Sequence, residues 1–221
     1  MTHELIRPIL TVDIVLITLK DGRLHIVLQK RDRPPHSGRP ALIGGYVHPE
    51  EDESTSAAAA RVLRDKAGVA VRLLEQLMTF SGAKRDPRGW SASVAYYALL
   101  PDSNLSAPPD RRLTIVPLGE KPALPFDHDA IVAKTAERCR RRAAYSSLPA
   151  FLLPLAFTLS ELRRAYETML GRTLNDSAFR RKIDELRIIE PLKGAASKAT
   201  ARPAQLYQLS QADLIEFDRT L

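Results

Sequence analysis

The chain has 221 residues, 44% hydrophobic and 27% charged, which is the composition of one or two water-soluble domains rather than of a disordered or fibrous chain. No run approaches the roughly 18 to 20 apolar residues of a membrane span, and the opening MTHELIRPIL lacks a secretion signal, so a cytoplasmic protein without a membrane partner is expected. The 33 Lys/Arg exceed the 26 Asp/Glu by 7, and between residues 130 and 209 the balance is 15 basic to 7 acidic, which places the positive excess in the C-terminal half and suggests a polyanionic partner there. The single cysteine, Cys139, excludes an internal disulfide, and no Cys/His cluster has zinc spacing, so no metal or required cofactor is expected.

The β-branched run Ile9 to Leu19, the turn dipeptide Asp21-Gly22 and the return run Leu24 to Gln29 predict a β-hairpin. After a loop rich in Pro and Gly, Ser54 to Ala67 reads as a helix that Gly68 ends in a left-handed conformation. Val69 to Phe80 and Ser91 to Leu100 supply further strands, and Leu113 to Pro117 an edge strand, which completes an α+β domain over residues 1–126. A helix from about Asp129 to Tyr145 and the segment up to residue 154 form a connector.

Beyond Pro154 the pattern changes. Thr158-Leu-Ser-Glu161 is a capping box opening a helix with Leu159, Leu162, Tyr166, Met169 and Leu170 at helical spacing. Gly171 ends it, and Asn175 caps a second helix to about Arg187; this is helix-turn-helix spacing. Ile188 to Leu192 and Gln205 to Leu209 read as two strands around the loop KGAASKATARPA, a wing, and Ser210 is expected to cap a final helix. Residues 155–221 therefore predict a winged helix-turn-helix domain. Asn175, Ser177, Arg180, Arg181 and Lys182 of the second helix are the candidates for the groove of double-stranded DNA, and Lys193, Lys198, Thr200 and Arg202 of the wing for its backbone.

The segment Gly44 to Val69 resembles the Nudix box, G-x5-E-x7-R-E-U-x-E-E-x-G-U with U an aliphatic residue. Gly68, Val69, Leu63, Arg61 and Glu53 take their places, but the loop glycine, Gly45, lies eight rather than six residues before Glu53. Where active members carry three metal-holding glutamates, this chain has Val62, Asp65 and Lys66. Magnesium needs hard oxygen ligands, and an ammonium repels it, so no catalytic residue is assigned and hydrolase activity is not expected.

With this box, the segment Lys84 to Gly89, the motif Phe126-Asp-His-Asp129 and the run RPAQLYQL make the chain similar to the NrtR family of Nudix-related transcriptional regulators. That resemblance implies a Nudix-like α/β/α sandwich fused to the winged helix, a homodimer, and repression of genes of NAD synthesis or salvage under control of an effector such as ADP-ribose. Carried over by position, the effector pocket takes Gly44, Gly45, Arg64, Phe80, Arg85, Asp86 and Arg88, with Lys66 supplying positive charge in place of a metal. Arginine forks grip a diphosphate and an aromatic ring stacks on adenine. Two rival readings are compatible with the sequence: an active Nudix hydrolase carrying an appended nucleic-acid module, and a winged helix that binds protein rather than DNA.

Overall fold

The structure, a computed structural model, describes residues 7–105, 112–197, 204–218 and 220–221. Its first domain is built on strands β1 (Ile9–Lys20), β2 (Arg23–Lys30), β3 (Pro40–Ala41), β4 (Ile43–Tyr46), β5 (Leu73–Gly82), β6 (Ser91–Leu99) and β7 (Leu113–Pro117), with helix α1 (Thr55–Ala67) between β4 and β5. The hairpin forms as expected, because Asp21 and Gly22 take φ of 49° and 72° and so match the twist of the two strands they join. β1 is the centre of the sheet: it pairs parallel with β6 over nine residues and antiparallel with β2 and β4. β5 lies outside β6, and β7 adds to the far side of β2.

The period of two along β1 divides the core. Val12, Ile14 and Leu16 face α1, where they meet Ala58, Ala59, Val62 and Leu63. Val15 and Ile17 face the opposite side and meet helix α2 (His128–Ala143) through Ile131, Val132 and Cys139. Ser54 caps α1 by accepting from the Ala57 amide, and Gly68 ends it at φ 66°. The stretch 127–154, expected as a connector, thus includes the third layer of an α/β/α sandwich, and a buried 3-10 turn over residues 148–152 continues it.

The second domain runs β8 (Phe157–Thr158), α3 (Leu159–Leu170), α4 (Asp176–Leu186), β9 (Ile189–Ser197) and β10 (Ala204–Leu209), with strand order β8-β10-β9. The capping box at Thr158 and Glu161 is formed in both directions, and Gly171 closes α3 at φ 70°. Leu162, Tyr166, Phe179 and Ile183 make the core of the helix-turn-helix, with the Tyr166 and Phe179 rings 5.5 Å apart.

The C-terminal segment departs from expectation: residues 211–218 form no helix. Their backbone is tied instead to the chain leaving α2. The Ser147 amide donates to the Ile215 carbonyl, the Ile215 amide to the Ser147 hydroxyl, and the Phe217 amide to the Tyr145 carbonyl. Those bonds and burial of Phe217 use the groups a helix would have paired internally.

Candidate functional site

Between α1, the N-terminus of α2 and the loops beside β1 lies a cleft of about 460 Å3, inside the range of small-ligand sites. Six of the eight residues expected for the effector line it: Gly44, Gly45, Lys66, Arg85, Asp86 and Arg88. The other two stand elsewhere. Arg64 projects outward from α1 with a 69% exposed side chain, 3.4 Å from Asp65, and Phe80 packs partly buried against the core on the α2 side of the sheet. The reason is helical phase: residues 62 and 66 share the inward face of α1, whereas 64 is about 200° round from 62.

The floor of the cleft is a buried polar network. Asp13, 7% exposed in the middle of β1, accepts from the Ser93 hydroxyl at 2.6 Å. His128 accepts the Leu42 amide on Nδ1 at 3.1 Å, which leaves its proton on Nε2, 3.4 Å from Asp13. Arg85 forks onto Asp127 at 2.8 and 2.9 Å, donates to Ser91 at 3.2 Å and lies 3.6 Å from Asp13. Burial by itself raises the Asp13 pKa, but His128, Ser93 and Arg85 outweigh it and hold the carboxyl at about 2.

The walls are cationic and aromatic. Arg88 forks onto the buried Asp86 and lies 5.5 Å above the Tyr46 ring, while Arg31 lies 4.9 Å from the Phe126 ring centre. Phe126, which also meets His36 and His128, is a further wall residue outside the expected effector set, although it opens the Phe126-Asp-His-Asp129 motif. Asp13 carried a signal of its own, as the one charged residue inside a continuous β-branched run. Arg31, Tyr46 and His128 are brought in by strand pairing and helix docking, which local spacing does not encode.

The box helix offers poor ground for a metal. Val62 is 2% exposed and packed beneath Gly45, Asp65 points to solvent, and the Lys66 ammonium donates to the Gly44 carbonyl. A hard divalent ion would find one displaced carboxylate and an adjacent positive charge, so these residues do not fit it. Among the described residues no group of three or more His, Cys, Asp or Glu is placed to hold a metal ion. The box arginine, Arg61, forks at 2.8 Å onto Asp52, not onto the aligned Glu53, which remains exposed. Asp52 also accepts the His48 amide at 2.7 Å and so pins the enlarged loop.

In the winged domain α4 presents Ser177, Arg180 and Arg181 to solvent, with Lys182 half-buried. Asn175 is exposed, and its side chain is engaged as the helix cap, accepting from the Ala178 amide at 3.0 Å. Arg181 has Glu185 one turn away at 4.0 Å. Lys193 lies on β9; Lys198, Thr200 and Arg202 fall outside the described residues.

Comparisons with known proteins agree with this division. Residues 7–131 match the NUDIX domain, and residues 149–209 match the NrtR DNA-binding winged helix domain. The ADPR responsive transcriptional repressor NtrR of Acinetobacter baylyi is 35% identical over 210 residues, covering 93% of this chain and 84% of that protein. The crystal structure of Shewanella oneidensis NrtR complexed with a 27mer DNA is similar at a TM-score of 0.87 and 33% identity, over 96% of this chain and 99% of that one. The NUDIX domain of the same Shewanella protein, crystallised with ADP ribose, is 33% identical at a TM-score of 0.55, over 60% of this chain and 89% of that one. The chain belongs to the NrtR family of Nudix-related transcriptional regulators.

Proposed function

We propose that this protein is a transcriptional repressor that binds operator DNA of NAD-synthesis or salvage genes through its winged helix and answers to ADP-ribose, or a closely related nucleotide, held uncleaved in the Nudix-like cleft. It acts in the cytoplasm as a homodimer whose two recognition helices meet successive turns of the duplex. The observation that carries this reading is the position of Lys66: its ammonium donates to the Gly44 carbonyl in the lining of the cleft, a fixed positive charge available to the phosphates of a nucleotide in place of a water-activating metal. Arg85 and Arg88 offer planar forks beside it, and Tyr46 and Phe126 offer ring faces for a base.

The test uses the whole chain. Labelled duplex carrying the promoter of an NAD-pathway gene is retarded with purified protein, and ADP-ribose is then titrated in. Retardation that ADP-ribose relieves, with intact ADP-ribose recovered after incubation with magnesium or manganese, is the expected result. Rapid cleavage of ADP-ribose without DNA binding would overturn the reading in favour of a hydrolase.

A further inference from the structure

Helix α2 runs from the cleft to the winged helix, and Asp127 stands at its start. Asp127 occupies the N-cap position, but its side chain makes no cap hydrogen bond. Both carboxylate oxygens are committed to Arg85, whose side chain is only 8% exposed and which lines the effector cleft. The next residue, His128, is held by the Leu42 amide and faces Asp13. The seat of α2 is therefore made from the same guanidinium that a diphosphate would seek.

At its other end α2 meets the DNA-binding domain. Arg142, in the last turn, reaches Glu75 of the sheet and Glu216 of the C-terminal segment, both at 2.9 Å. Just beyond, the Ser146 carbonyl accepts the buried Tyr166 hydroxyl of α3 at 2.8 Å. The 16 residues of α2 span about 24 Å, and α3 leads directly into the recognition helix. A small displacement at one end of a packed helix is carried to the other, because its core side cannot deform continuously.

Building on the function proposed above, we infer that Asp127 is the positioning residue through which the cleft communicates with the winged helix. With the cleft empty of anion, its fork on Arg85 fixes the seat of α2. An anionic nucleotide competes for Arg85 and repels the Asp127 carboxylate, so the ligand interacts differently with the seated and shifted positions of α2. That difference is the only means by which it can bias the equilibrium.

The experiment measures DNA affinity by fluorescence anisotropy, with and without saturating ADP-ribose, and ADP-ribose affinity by calorimetry. It compares the wild-type chain with Asp127→Asn and Tyr166→Phe. Effector couplings of this kind run from about 5-fold to about 150-fold. Asp127→Asn is expected to bind ADP-ribose at least as tightly as wild type, since a competing carboxylate is gone, while the factor by which ADP-ribose weakens DNA binding falls at least threefold. Tyr166→Phe is expected to reduce the same factor, with ADP-ribose affinity within about twofold of wild type. A wild-type factor retained by Asp127→Asn overturns the inference. If that variant does not fold, a factor retained by Tyr166→Phe overturns it instead. A wild-type protein that shows no ADP-ribose effect refutes the proposed function first and is recognised by that control alone.

Discussion

Replacing Asp13 by asparagine removes one charge from the floor of the cleft with little change in shape. The carboxyl is held at about 2 against an ordinary 3.8, in a side chain 10% exposed. At 1.36 kcal/mol per pKa unit, that difference corresponds to about 2 kcal/mol of stability. Removing one member of a buried charge cluster costs about 3 to 5 kcal/mol when its partner is stranded, but Arg85 keeps Asp127, so the lower figure applies. Because the folded pKa is depressed, the contribution is complete above the unfolded value and is lost as pH falls from about 4 towards 2. Urea denaturation of wild type and Asp13→Asn should therefore differ by about 2 kcal/mol, unchanged from pH 7 to pH 5, and by about half that near pH 3. A difference below about 0.5 kcal/mol at pH 7, or one that grows as pH falls, would refute the account of the network.

Lys66→Glu should weaken ADP-ribose binding at least tenfold, about 1.4 kcal/mol by calorimetry, and should produce no hydrolysis, because Val62 and the outward Asp65 still leave the acid set incomplete. Unchanged affinity would remove the ammonium from the binding account. Arg180→Ala changes an exposed side chain, so stability should move by less than about 0.5 kcal/mol while DNA affinity falls and the slope of log affinity against log salt shrinks by about one; an unaltered salt slope would place Arg180 away from phosphate. At Gly44 a β-carbon would press into the Asp13 carboxylate and stand 2.9 Å from the Val12 carbonyl, so Gly44→Ala should lower stability by about 1 to 3 kcal/mol in urea melts, together with ADP-ribose affinity.

The elements that can be read from the sequence are those whose signals are local. Asp21-Gly22, Ser54, Gly68, the Thr158 and Glu161 box, Gly171 and Asn175 each act within four residues of themselves, and each occupies the place its chemistry demands. The cleft was half visible for the opposite reason. Box spacing reaches Gly44, Gly45 and Lys66, but Asp13 meets His128 only because β1 lies beside the docked end of α2. The insertion in the loop likewise lets Asp52 take the arginine that counting assigns to Glu53. The final segment misleads because Leu214, Ile215 and Phe217 suggest an amphipathic helix, whereas the carbonyls and hydroxyl around Tyr145 and Ser147 offer its backbone partners from outside.

The apolar cluster beneath α2 does not stop at a domain border. Met169 of α3 belongs to it, Leu209 and Leu214 pack against it, and Leu19 of β1 touches both this cluster and the one inside the winged helix. Separating the halves would expose that seam to water, so the chain should melt in a single calorimetric transition, and either half produced alone should be less stable than it is within the whole chain. Effector sensing and DNA reading are therefore bound by a common fate: a lesion that loosens one weakens its neighbour too, and exchanging winged helices between relatives calls for recutting the seam as well as the loops.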